Sequence, residues 1–278
     1  MCTILLIRTK KHNFSKVTPP IIIYYTLYMT ENTLKTKLLA KQACYGVISP
    51  TADPTICEYL GLLGMQYYII DAEHGAISIT EAAHLIRACE TVGITPLARI
   101  PSLDEKMILQ YFDAGCMGVV MPGTNTVADC ERLVQYVKYT PIGARGLGPV
   151  RSAQYMAGTH TQAQYIAYSN AHTMVLPMIE TVECLHNLPS MVKVAGIDGF
   201  ILGPRDLALS MGYLDGPNHP QVKEAIANAI HTVRQAGLIF GTVAANAEQA
   251  AELKHQGVTL LLNSVQGLLT PSVKAFMG

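Results

Sequence analysis

The chain has 278 residues, with 20 lysines and arginines against 20 aspartates and glutamates, so its formal net charge is zero. Only 14% of its residues are charged and 50% are hydrophobic, whereas about 25% are charged in a typical soluble domain. This composition excludes intrinsic disorder and indicates a large core, an oligomer interface, or both. The neutral balance also argues against a nucleic-acid-binding protein, which needs a basic surface.

The first 28 residues do not follow the pattern of the rest of the chain. Residues 21–29 form the longest early apolar run, which is too short to cross a bilayer. Residues 2–7 are also apolar, but Arg8, Lys10 and Lys11 follow them, which reverses the order found in a secretory signal peptide. We therefore expect no membrane association, and we interpret residues 1–28 as an N-terminal extension without function.

Residues 29–278 have the pattern of one α/β domain. A polar start at 29–32 precedes a predicted helix on which Leu34, Leu38 and Leu39 mark one face. From residue 44 onwards, short and mostly continuous apolar runs alternate with helical periodicity, as is typical of parallel strands covered on both faces. The predicted strands are 44–49, 67–71, 95–99, 118–121, 173–179, 198–202, 239–243 and 259–263. The clearest helical segments are 78–90, 104–114, 126–136, 222–235 and 245–255.

Eight strands with intervening helices predict a (β/α)8 TIM barrel. The alternative is a doubly wound open sheet, which usually has fewer strands and a glycine-rich nucleotide motif near its first turn. Because the chain has no such motif there, the barrel is the preferred fold.

The cysteines indicate a reducing compartment. They are odd in number, scattered, and never spaced as Cys-x-x-Cys, so a secreted disulfide framework and a structural zinc site are both disfavoured. We expect a cytoplasmic protein. The seven cysteines are Cys2, Cys44, Cys57, Cys89, Cys116, Cys130 and Cys184.

Four of the predicted strands end in charged or functional groups. In TIM barrels the catalytic residues lie at the carboxyl ends of the strands. Such a concentration in a chain with few charges points to an active site at one mouth of the barrel. The residues are Asp71, Glu73 and His74 after the second strand, Arg99 at the third, Glu180 after the fifth and Asp206 after the sixth.

Glu180 and Asp206 are candidate metal ligands. They follow neighbouring strands, whose spacing of about 4.8 Å allows two carboxylates to meet at one cation. Two carboxylates without a nearby thiolate or imidazole favour a hard ion such as Mg²⁺ or Mn²⁺. Two alternatives stay open: Asp206 caps the helix that follows it, or the two carboxylates form a glycosidase acid–base pair.

His74 and Arg99 are candidates for proton transfer and charge stabilisation. His74 follows Asp71 by three residues, a spacing at which a carboxylate could orient an imidazole as a general base. Arg99 offers a permanent positive charge to a developing oxyanion. The alternatives are a structural histidine and a salt bridge from Arg99 to Glu73 or Asp113.

Two further features of the sequence limit the chemistry. No lysine stands at the carboxyl end of a predicted strand, which disfavours a Schiff-base mechanism. The glycine-rich residues 143–148 lack the Lys-Ser/Thr of a phosphate-binding loop. We interpret them as a shaped active-site loop in which Arg145 and Arg151 are structural or contact substrate.

These motifs resemble those of the HpcH/HpaI aldolase family, metal-dependent pyruvate aldolases built on a (β/α)8 barrel. The matching stretches appear in family order between residue 31 and about residue 270. They are residues 71–75, 96–101, 143–148 together with Arg151, 178–181 and 198–207.

The resemblance implies a role for each part of the site. Glu180 and Asp206 would hold a divalent cation (Mg²⁺, Mn²⁺ or Co²⁺) that chelates pyruvate. Arg99 would stabilise the enolate oxygen. His74, oriented by Asp71, would act as the general base.

It also implies a substrate-binding set and an oligomer. Backbone amides around Gly203 and Arg205 would receive the pyruvate carboxylate, and Pro204, Met178 and Arg99 would belong to the same substrate-binding set. Asp113 matches a family acid that lies near the dyad at a subunit interface, and Glu73 is a secondary site residue. Family members assemble as trimers or hexamers, so a homo-oligomer is expected.

Two departures from the family pattern bear on specificity. Met178 stands where some members have Gln, which removes one polar contact to substrate. Arg205 stands where a small residue is common, and its long side chain alters the pocket. Both affect the choice of aldehyde more than the chemistry.

We therefore predict an aldolase that reversibly cleaves a 4-hydroxy-2-oxo acid to pyruvate and an aldehyde. Its partners would be these small molecules, and we expect it to bind neither nucleic acid nor a membrane. The alternative is a CoA-ester lyase of the citrate lyase β-subunit type, which would need basic residues for the CoA phosphates. A third possibility is a barrel retained as a binding module.

Overall fold

The computed structural model describes residues 31–278, and the predicted extension at residues 1–28 lies outside them. Eight parallel strands pair in sequence order and close into a barrel, with β1 also paired to β8. The predicted single-domain (β/α)8 fold is thus confirmed. The strands are β1 (Cys44–Ser49), β2 (Tyr67–Asp71), β3 (Thr95–Arg99), β4 (Gly118–Met121), β5 (Met174–Ile179), β6 (Gly199–Leu202), β7 (Ile239–Val243) and β8 (Leu260–Ser264).

Helices surround the barrel and connect its strands. In the described part of the chain they are α1 (Thr33–Leu39), α2 (Pro54–Leu62), α3 (Ile79–Thr91), α4 (Glu105–Ala114), α5 (Val127–Val137), α6 (Gln162–His172), α7 (Val182–Met191), α8 (Pro204–Ser210), α9 (Pro220–Gln235), α10 (Ala247–His255) and α11 (Val265–Met277), with a 3₁₀ segment at Arg151–Met156. None of these helices is long and apolar enough to cross a membrane.

The apolar side chains form two layers that follow the alternation of the strands. Inside the barrel, residues such as Tyr67, Leu97, Met174 and Ile201 pack together, and alternate residues of the same strands pack outward against the helices. Burial on both faces explains why the strands are continuous apolar runs.

Helix α1 covers the amino-terminal end of the barrel. Leu34 and Leu38 are fully buried and belong to the interior cluster, whereas Leu39 is 64% exposed. The prediction of one apolar face is therefore correct for the first two leucines and wrong for the third. The cap residue Asn32 fixes the helix by donating to the carbonyls of Met117 and His172.

Several predicted helix starts are caps instead of first helical residues. The hydroxyl or carboxylate of Ser78, Asp104 and Thr126 accepts a hydrogen bond from a first-turn N–H of α3, α4 and α5. These short polar side chains satisfy N–H groups that have no partner within the helix.

Three predicted strands begin one residue too early. Thr173 donates its N–H to the carbonyl of Ser169 and therefore caps α6 instead of starting β5. β6 begins at Gly199 instead of residue 198, and β8 covers Leu260–Ser264 instead of 259–263. Such shifts of one residue are the usual uncertainty of element ends.

The glycine-rich loop at residues 143–148 lies at the opposite end of the barrel from the active-site mouth. It belongs to the connection from the end of α5 to the start of β5, and such helix-to-strand connections lie at the amino ends of the strands. The prediction that residues 143–148 form an active-site loop is therefore wrong for the barrel mouth of the same chain. The sequence showed the glycines but not which end of the barrel the segment would reach.

Candidate active site

The alternation of the strands directs charged side chains at the ends of β2, β3 and β5 toward the barrel mouth. Asp71 lies two residues after the interior Ile69, and Arg99 lies two residues after the interior Leu97. Glu180 likewise follows Met178 by two residues. Because side chains two residues apart share a face of a strand, these groups face the axis of the barrel at its carboxyl end.

Asp71 and Arg99 form a buried ion pair with two hydrogen bonds. They are partners in the register of β2 and β3. Arg99 donates from Nε to Asp71 Oδ1 at 2.9 Å and from Nη2 to Asp71 Oδ2 at 2.7 Å. Their side chains are only 6% and 11% exposed. Burial would raise the pKa of Asp71, but the hydrogen bonds and charge of Arg99 outweigh it and lower this pKa.

Glu73 is the second acid at Arg99. Its Oε2 lies 3.2 Å from Arg99 Nε, yet this buried oxygen has no hydrogen bond of acceptable geometry in the structure. The arginine thus lies between two carboxylates. A salt bridge from Arg99 to Glu73 was one of the alternatives that the sequence left open. A buried carboxylate oxygen without a hydrogen bond is costly and calls for a further positive or donor group.

His74 is placed differently from the predicted dyad. Its side chain is 64% exposed and its Nε2 lies 3.9 Å from Glu73 Oε2. Asp71 contacts His74 through the backbone, accepting the His74 N–H at Oδ1 over 3.2 Å. In the described chain, the Asp71 carboxylate therefore accepts hydrogen bonds from the Arg99 guanidinium and from the His74 amide.

Gly75 explains the tight turn that carries His74. Its N–H donates to the carbonyl of Asp71 at 3.0 Å. A Cβ on this residue would lie 2.3 Å from that same oxygen and 2.7 Å from the carbonyl oxygen of Pro50. Only glycine fits there without a shift of the backbone.

Glu180 is held by a backbone donor that sequence analysis missed. Its Oε1 accepts the N–H of Gly123 at 2.7 Å, and Gly123 has a φ of 63°. The available signal was the Pro122–Gly123 pair directly after β4, at the strand end nearest to β5. Burial raises the pKa of Glu180, and the negative charges of Glu73 and Asp206 add to this increase against the Gly123 hydrogen bond and Arg99.

Asp206 lies in the first turn of α8 and is not its cap. The cap is Gly203, and no side chain accepts a hydrogen bond at this helix start. A Cβ on Gly203 would lie 3.5 Å from Asp206 Oδ2 and 3.6 Å from Glu180 Cβ. The missing side chain therefore leaves a space that the Asp206 carboxylate and the Glu180 side chain border.

The donors around this space suit a hard divalent cation. Burial raises the pKa of Glu180, and the nearby negative charges of Glu73 and Asp206 raise it further. Among residues 31–278, no group of three or more His, Cys, Asp or Glu side chains is close enough to hold a metal alone. A cation bound here would need substrate and water oxygens to complete its coordination, as is usual for Mg²⁺.

Met178 forms part of the apolar floor of the mouth. It is 4% exposed, belongs to the interior cluster, and its Cε would lie 3.3 Å from a Cβ on Gly203. Arg205 is exposed at the second position of α8.

Asp113 and Arg145 form a separate buried pair at the other end of α4. Arg145 Nη2 donates to Asp113 at 2.8 Å, and the Arg145 side chain is 1% exposed. The guanidinium also lies 5.1 Å from the ring centre of Phe112 and 4.7 Å from that of Tyr139. Arg151 pairs with Glu90 and donates to the carbonyl of Ala114. Both arginines are structural within this chain.

Lys138, which is buried, also lies away from the mouth. Lys138 follows α5 and donates to the carbonyls of Asn170 and Thr173 at the amino end of β5. Burial lowers its pKa to about 8. A lysine of this kind suits imine formation, but this one lies at the far end of the barrel from the mouth.

The fold and the mouth define a TIM-barrel enzyme with a fixed arginine beside two carboxylates suited to a metal. A family model described as HpcH/HpaI aldolase/citrate lyase matches residues 45–270, and the chain belongs to this family. It is an aldolase, that is, a carbon–carbon lyase. The family generally depends on divalent metals.

Individual relatives agree with this assignment. A hydroxypyruvate/pyruvate aldolase from Cupriavidus necator is 31% identical over 86% of this chain and 88% of its own. A 5-keto-4-deoxy-D-glucarate aldolase from Escherichia coli is 29% identical over 83% of this chain and 89% of its own. The crystal structure of an HpcH/HpaI aldolase from Desulfitobacterium hafniense is 27% identical, covers 88% of this chain and 95% of its own, and has a TM-score of 0.82.

Proposed function

We propose that this enzyme cleaves a 4-hydroxy-2-oxo acid reversibly to pyruvate and an aldehyde, with a divalent cation held by Glu180 and Asp206. The observation that carries the proposal is the space at Gly203, which is bordered by the Asp206 carboxylate and by the Cβ of Glu180. When bound, Mg²⁺, Mn²⁺ or Co²⁺ would supply Lewis-acid polarisation of the substrate 2-oxo group.

Arg99 would stabilise the negative charge that develops on the substrate oxygen. Its charge is permanent, and its two bonds to Asp71 fix the guanidinium plane before substrate arrives. Such preorganised charge needs no rearrangement during the reaction. Asp71 is therefore a positioning residue for Arg99, besides holding the turn that carries His74.

His74 would accept the proton of the C4 hydroxyl. Loss of this proton allows the C3–C4 bond to break, with its electron pair passing into the enolate of pyruvate and C4 leaving as the aldehyde. Protonation of the enolate at C3 completes the reaction. The exposure of His74 supports an exchange of protons with solvent, and Asp113 of a neighbouring subunit is proposed to assist it, as the family resemblance implies.

The first turn of α8 would bind the substrate carboxylate. The N–H of Gly203 already donates to the carbonyl of Ile179 at 3.0 Å, and Pro204 has no N–H. The N–H groups of Arg205 and Asp206 have no partner within the helix because they lie in its first turn. The N–H groups of Arg205 and Asp206 are therefore the amides that we propose to bind the substrate carboxylate. Gly203, Pro204 and Met178 would shape the pocket around it.

The central experiment removes the metal. We expect pyruvate release from 4-hydroxy-2-oxo acids to cease after treatment with EDTA and to return on addition of Mg²⁺, Mn²⁺ or Co²⁺. Full activity after complete metal removal would contradict the proposal. The substrates tested should include hydroxypyruvate in place of pyruvate, and 5-keto-4-deoxy-D-glucarate as a compound to be cleaved, in view of the names of the relatives.

The alternative of a CoA-ester lyase is tested with the same preparation. Cleavage of malyl-CoA or citramalyl-CoA in preference to 4-hydroxy-2-oxo acids would favour it. The low content of lysine and arginine speaks against a site for the CoA phosphates.

We also propose a cytoplasmic homo-oligomer of three or six subunits. Six free cysteines buried in the described chain support a reducing compartment. The last helix, α11, exposes apolar side chains, which supports burial against another subunit; these include Leu269, Val273, Phe276 and Met277. Light scattering on the purified protein would give the subunit number, and a monomer would contradict this part of the proposal.

A further inference from the structure

Arg205 differs from every other arginine in the described residues 31–278. The other six each have a hydrogen bond or ion pair: Arg87 with Ala83, Arg99 with Asp71, Arg132 with Asp129, Arg145 with Asp113, Arg151 with Glu90 and Arg234 with Gln256. The guanidinium of Arg205 has none. In a chain with so few charges, this is a free cation at the mouth of the barrel.

The position of Arg205 relates it to the proposed site. It is the second residue of α8, between the cap Gly203 and the candidate ligand Asp206. It makes no ion pair with Asp206, which is adjacent in sequence, or with Glu180, which lies at the same mouth of the barrel. The two carboxylates thus stay available to a cation, and the guanidinium stays available to an anion.

Within residues 31–278, no other strand end offers a free lysine or arginine. Among the described strand ends, Arg99 supplies the single lysine or arginine, and it is already bound to Asp71 and lies beside Glu73. The neighbouring strand β7 ends in Val243, which is 36% exposed, and β8 ends in Ser264. An anionic group on the far part of a substrate would therefore meet Arg205 as its available counter-charge.

We propose that the Arg205 guanidinium binds a carboxylate or phosphate on the aldehyde portion of the substrate and so selects anionic aldehydes. The inference rests on the proposed aldolase function. The planar fork of donors in arginine matches both oxyanions. The backbone N–H of the same residue would meanwhile serve the carboxylate of the pyruvate portion.

The test compares matched aldehydes in the direction of carbon–carbon bond formation with pyruvate. Succinate semialdehyde is paired with butanal, and glyceraldehyde 3-phosphate with glyceraldehyde. The quantity measured is the ratio of kcat/KM for the anionic to the neutral aldehyde within one variant, which cancels effects on the pyruvate half. Arg205→Ala should lower this ratio roughly 10- to 100-fold, as expected for loss of a hydrogen-bonded charge contact.

Two variants separate this role from a structural one. Arg205→Lys keeps the charge and should retain much of the preference. Arg87→Ala removes an exposed arginine on the outer helix α3 and should leave the ratio at the wild-type value. The pair of aldehydes whose ratio falls identifies the anion as carboxylate or phosphate.

An unchanged ratio in Arg205→Ala for both pairs would overturn the inference. The proposed function is tested independently by metal-dependent exchange of the pyruvate methyl protons with D₂O in the wild type, which needs no aldehyde. Exchange together with an unchanged ratio rejects the role of Arg205 alone. Absence of exchange with any of the three metals rejects the proposed function itself.

Discussion

The guanidinium of Arg99 donates two hydrogen bonds to the carboxylate of Asp71, from Nε to Oδ1 at 2.9 Å and from Nη2 to Oδ2 at 2.7 Å. Asp71 and Arg99 stand opposite each other where β2 and β3 end. The pair ties these two strands at the mouth and fixes the cation proposed to stabilise the enolate. It should therefore contribute to both stability and catalysis.

Replacement of Asp71 should reveal both contributions. We expect Asp71→Asn to lower the free energy of unfolding by about 2–4 kcal/mol, because it leaves a buried arginine with weaker compensation. Turnover should fall as well, because the guanidinium loses its fixed orientation. Urea denaturation and steady-state kinetics measure the two effects, with Glu58→Gln, an exposed acid on α2, as the control.

The pH dependence of this difference follows from the lowered pKa of Asp71. A carboxyl whose pKa is lower in the folded state stabilises the fold above its ordinary value and loses this contribution as pH falls through the folded pKa. The gap between wild type and Asp71→Asn should be constant near neutrality and shrink below the ordinary value of 3.8. A gap unchanged down to pH 2 would contradict the ion pair.

Glu180 should oppose folding when no cation is bound. Its pKa is raised above 4.5, chiefly by burial, so its ionised form is disfavoured in the fold at neutral pH. We expect Glu180→Gln, whose amide oxygen still accepts the Gly123 N–H, to be at least as stable as the wild type without metal. Mn²⁺ should raise the Tm of the wild type and not that of the variant.

The exposed neighbour Glu183 on α7 provides the control for this experiment. Glu183→Gln should keep the rise in Tm caused by Mn²⁺. The rise in the wild type should itself diminish as pH falls towards the raised pKa of Glu180, because protonation removes a ligand. An undiminished rise in Glu180→Gln would remove this residue from the metal site.

A methyl group at Gly203 should impair the site without unfolding the barrel. The new Cβ would lie between Glu180 and Asp206 and 3.3 Å from the flexible end of Met178. We expect Gly203→Ala to lower kcat/KM roughly 10- to 100-fold, since small displacements of catalytic groups cost about this much. Gly146→Ala, where the Cβ meets only Leu109 at 3.9 Å, should retain activity and stability. Wild-type kinetics in Gly203→Ala would show that the space is not used.

The pair of Asp113 and Arg145 should stabilise the fold, apart from the help that Asp113 is proposed to give to His74 of a neighbouring subunit. Asp113→Ala leaves the Arg145 guanidinium buried without its partner, which should cost about 3–5 kcal/mol. The double variant with Arg145→Met should recover part of this loss, because the uncompensated charge is gone. Additive effects in the double-variant cycle would show that the two side chains do not interact.

The sequence anticipated most elements of the fold for reasons that are local. Strands buried on both faces must be apolar throughout, and Ser78, Asp104 and Thr126 satisfy helix N–H groups within their own turn. Their positions could therefore be predicted to within a residue or two. The segment around Arg145 was misplaced, because glycine content does not determine which end of a barrel a connection reaches.

The barrel, the family and the charged residues at the strand ends could be predicted from the sequence, because periodicity and residue type are properties of short segments. The pairing of these charges could not, because it depends on the folded chain. The register of β2 and β3 places Asp71 beside Arg99, so the Asp71 carboxylate binds this guanidinium instead of the His74 imidazole. The turn after β4 places the N–H of Gly123 against Glu180. The N–H of Gly203 is bonded to the carbonyl of Ile179, so this amide does not donate to substrate. Partner choice depends on distances between segments far apart in the chain, which closure of the barrel sets.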